Sequence, residues 1–264
     1  MLMRTNISTL FAIMISAVIV AHAQSPASVE KSLIQQLDQL SKYGNYLGTP
    51  DEDKRDAANK RIEQLLIRNG KRLAILKYSF PALQKKMSIA TSKDGRLRIY
   101  SWDSEMGGTM HDYYSVYQYQ GKSGKVHTWQ EVRGENYGVG AFYHDIFEVK
   151  TNKGRIYLPV STFIGSTSLN GQSISAVKIV GERLVPRVKI FRTTKGLSEG
   201  ISFEYDFFTV VDRPERPIKL FSFHEKKKEF RFPVVIADDK DTQGRVTDKF
   251  ITYRFNGKYF VKVS

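Results

Sequence analysis

The chain contains no cysteine. That absence excludes disulfides, thiolate metal centres, thiol nucleophiles and a lipid-modified N-terminal cysteine together. A fold made without cross-links must be held by its own core. Acidic residues are in deficit, with 27 Asp and Glu against 41 Lys and Arg, which gives a formal net charge of +14. Beyond residue 23 no stretch approaches the run of about 18 apolar residues that a membrane-spanning helix needs. What is present is ordinary globular material. Hydrophobic residues make up 41%, aromatic 12% and charged 26%, a balance that excludes wholesale disorder and a coiled coil.

The first 23 residues read as a cleaved export signal. Arg4 supplies the positive start, Ile7 to Val20 forms a mostly apolar run, and Ala21-His22-Ala23 places small residues where a signal peptidase reads them. A retained anchor is disfavoured because the run is short and is interrupted by Ser8, Thr9, Ser16 and His22. Arg4 is the only charged residue of the signal, so its removal lowers the net charge from +14 to +13. An exported chain without cysteine fits a bacterial periplasm or secreted space, because exported eukaryotic domains usually carry disulfides.

Three regions follow from the pattern: 1–23 as signal, 24–90 as a helical segment, and 91–264 as an antiparallel β domain. In the second, Val29, Leu33, Leu37 and Leu40 recur at three- and four-residue steps on one helical face. Tyr43-Gly44-Asn45 to Thr49-Pro50 breaks that helix. Asp51, Glu52 and Asp53 then open a second helix with Ala58, Ile62, Leu65 and Leu66, and a short third helix is expected from Lys71 to about Tyr78. After Met87 the pattern alternates, with turns at Asp94-Gly95, Gly121 to Gly124, Asn152 to Gly154, Gly181-Glu182 and Asn256-Gly257. About a dozen hairpin-connected strands are expected. The fold class is α+β, mainly β, with N-terminal helices packed on an antiparallel hairpin array. A meander, a barrel and an incomplete propeller all fit that array.

One pattern recurs three times, at His111-Asp112-Tyr113-Tyr114-Ser115-Val116, His144-Asp145-Ile146-Phe147-Glu148-Val149 and Tyr205-Asp206-Phe207-Phe208-Thr209-Val210. Read as a hairpin repeat, it predicts buried Tyr114, Phe147 and Phe208. The block Asp94-Gly95-Arg96-Leu97-Arg98-Ile99-Tyr100-Ser101-Trp102-Asp103, followed by Gly107-Gly108-Thr109, resembles a block in secreted bacterial proteins of uncharacterised activity. The resemblance covers the β part and implies no functional residue.

The chemistry-bearing motifs in the sequence are fragments. His-Asp pairs can make a general base or begin a metal site, yet neighbours on a strand face opposite sides, so His111 is not expected to use Asp112. Gly121-Lys122-Ser123 lacks the first glycine and the helix of a phosphate loop. Ser175-Ala176-Val177-Lys178 matches a serine-hydrolase pattern but lies in a strand-like run without the Lys-Thr-Gly element. Asp239 and Asp241 begin a calcium-loop pattern that has Phe250 at its twelfth position, where a bidentate Glu belongs, so an acidic hairpin connection is the better reading. No catalytic set, cofactor or established metal site is assigned.

The aromatic cluster Trp102, Tyr113, Tyr114, Tyr117, Tyr119, Trp129, Tyr137, Phe142 and Tyr143 offers sheet core and stacking platforms alike. Trp102, His111, Tyr113, Trp129, Tyr143 and His144 are the candidate binding residues. Basic residues are spread along the chain, which disfavours nucleic-acid binding and leaves an acidic protein or an anionic envelope glycan as the expected partner. The expectation is an exported, non-catalytic binding or inhibitory module, immunity-like in one version. The alternative is an envelope-polymer hydrolase with an unrecognised active site.

Overall fold

The structure is a computed structural model that describes residues 24–46, 48–130, 140–237 and 242–263. The segment 1–23, read as an export signal, and the loop residues Asp239 and Asp241 lie outside the described residues, as does Tyr137.

Helix α1 (Pro26–Tyr43) starts where the Ser25 hydroxyl accepts the Ser28 N–H, with proline in its first turn. Its buried stripe is Val29, Leu33, Leu37 and Leu40, as the spacing predicts. Helix α2 (Glu52–Asn69) is capped by Asp51, which accepts the Lys54 N–H, and Glu52 and Asp53 place negative charge at its positive end. Helix α3 (Leu73–Lys77) is shorter than the stretch from Lys71 to Tyr78 expected from sequence. A 3-10 turn at Leu83–Lys85 completes the helical part. Glu30, buried on α1, ties these pieces together: its carboxylate accepts the N–H groups of Ala82 (2.8 Å) and Leu83 (2.9 Å) and the Tyr78 hydroxyl (2.9 Å).

Strand exceeds helix, at 42% against 21%. The strands are β1 (Ser88–Thr91), β2 (Leu97–Asp103), β3 (Tyr113–Gln120), β4 (Val126–Trp129), β5 (Phe142–Thr151), β6 (Gly154–Ile164), β7 (Leu169–Ser175) and β8 (Val177–Val180). They continue with β9 (Arg183–Val185), β10 (Phe191–Thr193), β11 (Gly196–Ser198), β12 (Gly200–Asp206), β13 (Ser222–His224), β14 (Glu229–Ile236), β15 (Arg245–Phe255) and β16 (Phe260–Lys262). The first sheet is the meander β1-β2-β3-β4. The second runs β12-β7-β6-β8-β9, with β5 also paired to β6, and the third runs β11-β10-β16-β15-β14-β13. One of the sheets curls into a half-barrel. Among the described residues all pairings are antiparallel except β10 with β16. The dozen expected strands undercount the array because β9, β10, β11, β13 and β16 have only three residues each, too few for alternation to register.

Alternation along each strand assigns the layers. On the first sheet Tyr100, Trp102 and Val116 face the helices and share a core with Leu33, Ile62 and Phe80. Leu97, Ile99, Tyr117 and Tyr119 face the other way, onto Tyr157 and Val177 of the second sheet. The reverse face of the second sheet, with Ile156, Leu158 and Val160, packs on Phe191, Phe230 and Phe260 of the third. Both faces of the first two sheets are thus covered, which explains why β2 is buried at six consecutive residues.

The three-fold sequence pattern is not a structural repeat. Its first copy runs into β3 and its second lies on β5, where Val116 and Val149 are buried and Tyr114 and Phe147 half-buried. The third leaves the strand at Asp206, whose carboxylate accepts the Phe208 N–H and starts a 3-10 turn at Phe207–Val210. That turn throws Phe208 outward, to 58% exposure. Asp206 is a good turn initiator, and its local hydrogen bond outcompetes the ladder.

Candidate functional site

Two of the candidate residues, Trp129 and Tyr143, meet in one groove. Trp129 ends β4 and pairs with Tyr117 of β3, while Tyr143, the second residue of β5, donates its N–H to the Ser101 hydroxyl. Tyr117 stands edge-on to Trp129 (centroids 5.0 Å, 81°) and to Tyr143 (5.6 Å, 68°). Such edge-to-face packing fixes the rings relative to one another. Beside them runs a groove of about 370 Å³, completed by Ser173 and Ser175 of β7, Gly200 and Ser202 of β12, and the charged residues Arg187 and Glu199. Arg187 sits at φ +98°, in a region glycine favours. Its volume falls in the usual range for small-ligand sites, about 300–1,000 Å³.

His111 and Tyr113 join a different cluster, between the β2–β3 loop and the α1–α2 connection. His111 does not use its sequence neighbour Asp112. Its Nδ1 reaches Asp103 Oδ2 at 2.5 Å, across the hairpin, and its ring stacks on Tyr46 (4.5 Å, 29°). Asp103 Oδ1 also accepts the Glu105 N–H at 2.9 Å and the Tyr46 hydroxyl at 3.4 Å. Glu105, at φ +58°, presses its side chain against Gly44, where any Cβ would lie 2.5 Å from its Oε2. Burial, and next the nearby Asp103 charge, push the Glu105 carboxyl up to about 7. Burial and the same two carboxylates also push the Tyr46 and Tyr113 hydroxyls up. Asp103 and Glu105 line a cavity of about 610 Å³ that also takes in Asp38, Lys42, Thr49 and Lys86.

The remaining candidates are placed elsewhere. Trp102 is 1% exposed, and its Nε1 donates to Asn59 Oδ1 of α2 at 2.9 Å, so it serves the core beneath the helices rather than a binding surface. His144 does pair with its neighbour, Nδ1 to Asp145 Oδ2 at 3.0 Å. The register of β5 shifts between Tyr143 and Asp145, and such a bulge brings successive side chains to one side. Burial pushes the Asp145 carboxyl up, but hydrogen bonds from His144 and Lys219 outweigh it and hold the group below the usual aspartate range. The His144 side chain is 3% exposed, with no partner for Nε2 among the described residues. Among the described residues no group of three or more His, Cys, Asp or Glu could hold a metal ion, and no helix is long and apolar enough to cross a membrane.

Sequence reasoning missed Tyr46, Asp103, Glu105 and Arg187. The Asp103-x-Glu105 spacing was visible beside the Trp102 block, whereas nothing local links Tyr46 to His111. Comparison of the chain with protein-family models, with curated proteins and with solved structures returns no match.

Proposed function

We propose that the protein is an exported, non-catalytic binding module that holds a segment of an anionic envelope glycan in the groove beside Trp129. The observation that carries this reading is the set of three rings, with Trp129 and Tyr143 each braced edge-on by Tyr117, along a groove that is also lined by Arg187, Glu199 and three serines. Flat apolar faces beside polar groups are what a sugar needs, since its ring presents C–H faces and hydroxyl edges. The net charge of +13 after removal of the signal favours encounter with an acidic polymer.

Calorimetric titration with envelope polysaccharide fragments tests the reading. Trp129→Ala lowers affinity at least tenfold, and raised salt weakens binding of the parent protein. Equal affinity of parent and variant would overturn the groove as the site.

A hydrolase reading draws on one observation, a carboxyl raised to about 7 at Glu105 close to Asp103 in a cavity of about 610 Å³. Carboxylates held apart in protonation are the working pair of glycoside hydrolysis. Turnover of peptidoglycan or polysaccharide that disappears in Glu105→Gln would replace the binding module with this reading.

A further inference from the structure

At the far end of β12, away from the aromatic groove, the 3-10 turn after Asp206 and strands β13, β14 and β15 enclose a cleft of about 260 Å³. Its apolar floor includes Val210, Leu220 and Pro233, and its cations are Arg213, Lys219 and Arg231. Both arginines are anchored by one nitrogen. Arg231 donates Nε to the Ser222 hydroxyl at 3.2 Å and lies over the Phe250 ring, 4.5 Å from its centroid. Arg213 donates Nε to Glu215 Oε1 at 2.6 Å. In each case the terminal amino groups have no partner among the described residues. Lys219 gives two contacts to Asp145, at 2.9 and 3.1 Å, and an ammonium has a third N–H.

A guanidinium fixed through Nε and stacked on a ring is pre-ordered, so its remaining fork can close on two oxygens of one group with little further loss of freedom. Glu215 and Asp145, the partners of Arg213 and Lys219, are not among the described lining residues. Among the described residues Asp248 is the one carboxylate in the lining. The cleft is smaller than the usual range of about 300–1,000 Å³ for small-ligand sites, which matches a single charged group rather than a whole metabolite.

We infer that this cleft binds a phosphate monoester group, with the terminal amino groups of Arg213 and Arg231 and the Lys219 ammonium as donors and Phe250 as its apolar rim. The same chemistry is offered by inorganic phosphate, by a phosphorylated sugar and by a lipid phosphomonoester. The inference does not depend on the aromatic groove.

The test titrates the full chain with inorganic phosphate, with glucose 1-phosphate, and with phosphatidylcholine vesicles with and without phosphatidic acid. Saturable binding is expected that weakens at least tenfold in Arg231→Gln and in Arg213→Gln. It strengthens several-fold in Asp248→Asn, a gain that no unfolding can mimic. Lys227→Gln, on the exposed turn between β13 and β14, leaves it unchanged. Binding of vesicles alone, lost in Arg231→Gln, identifies the lipid as the source. Binding of no probe, or equal weakening by Lys227→Gln and Arg231→Gln, overturns the site in favour of diffuse charge. Trp129→Ala leaves phosphate binding intact whatever becomes of glycan binding, so the two sites fail separately.

Discussion

Replacing Glu30 tests the joint between α1 and the turn that leads into the β array. Its carboxylate accepts two main-chain N–H groups with Oε1 and the Tyr78 hydroxyl with Oε2. Glu30→Ala removes every acceptor at once. The buried Leu83 N–H left without one costs about 1–3 kcal/mol, and the part-buried Ala82 N–H and the half-buried Tyr78 hydroxyl add less each because water can reach them, so a loss of about 3–5 kcal/mol is expected. Glu30→Gln keeps the carbonyl that takes both N–H groups and turns its amide toward the Tyr78 oxygen, which can accept. Only the charge assistance is lost, about 1 kcal/mol. Urea unfolding separates the two. With a slope of about 2 kcal/mol/M, the midpoint falls by about 2 M in Glu30→Ala and about 0.5 M in Glu30→Gln. Equal shifts, or an alanine variant within about 1 kcal/mol of the parent, would refute the assignment of the joint to these hydrogen bonds.

Glu105 titrates near 7 in the fold against an ordinary 4.5, so between those values the folded chain binds more protons than the unfolded one. Stability is therefore fullest below the ordinary glutamate value and falls as pH rises through about 7; because the side chain is part-exposed the fall is about 1 kcal/mol, and Glu105→Gln flattens it in urea titrations at pH 5 and 8. Phe208→Ala, at 58% exposure, changes stability by less than about 0.5 kcal/mol, whereas Phe230→Ala, fully buried, costs about 3–5 kcal/mol; melting temperatures measured side by side check the contrast.

The helices were legible because their information is local. Val29, Leu33, Leu37 and Leu40 state a buried stripe, and Asp51 announces a cap, without reference to the rest of the chain. Turns at Asp94-Gly95 and Asn256-Gly257 were legible for the same reason, since Gly95 and Gly257 adopt the positive φ such turns require. The candidate sites were not, because their members meet through pairing. His111 finds Asp103 only once β2 and β3 are in register, and Tyr46 arrives from the helical part. His144 finds Asp145 through a bulge, a device with no residue signature here. The Trp102 ring belonged to a sheet covered on both faces, and alternation in the sequence cannot say which face is wet when neither is.

The seat of β16 sets an order of events for the growing chain. Phe260 lies between β10 and β15, with its N–H on the Ile190 carbonyl at 2.8 Å and its ring against Phe191, Phe230 and Phe255. Until residues 260–262 are made, β10–β11 and β13–β15 are two separate ribbons, each with an unpaired edge inside what will become one sheet. Such edges are templates for pairing with another molecule. Chains that lack residues 260–262 therefore carry two open edges that the complete sheet pairs between β10 and β15, and are expected to associate with one another more readily than the parent chain.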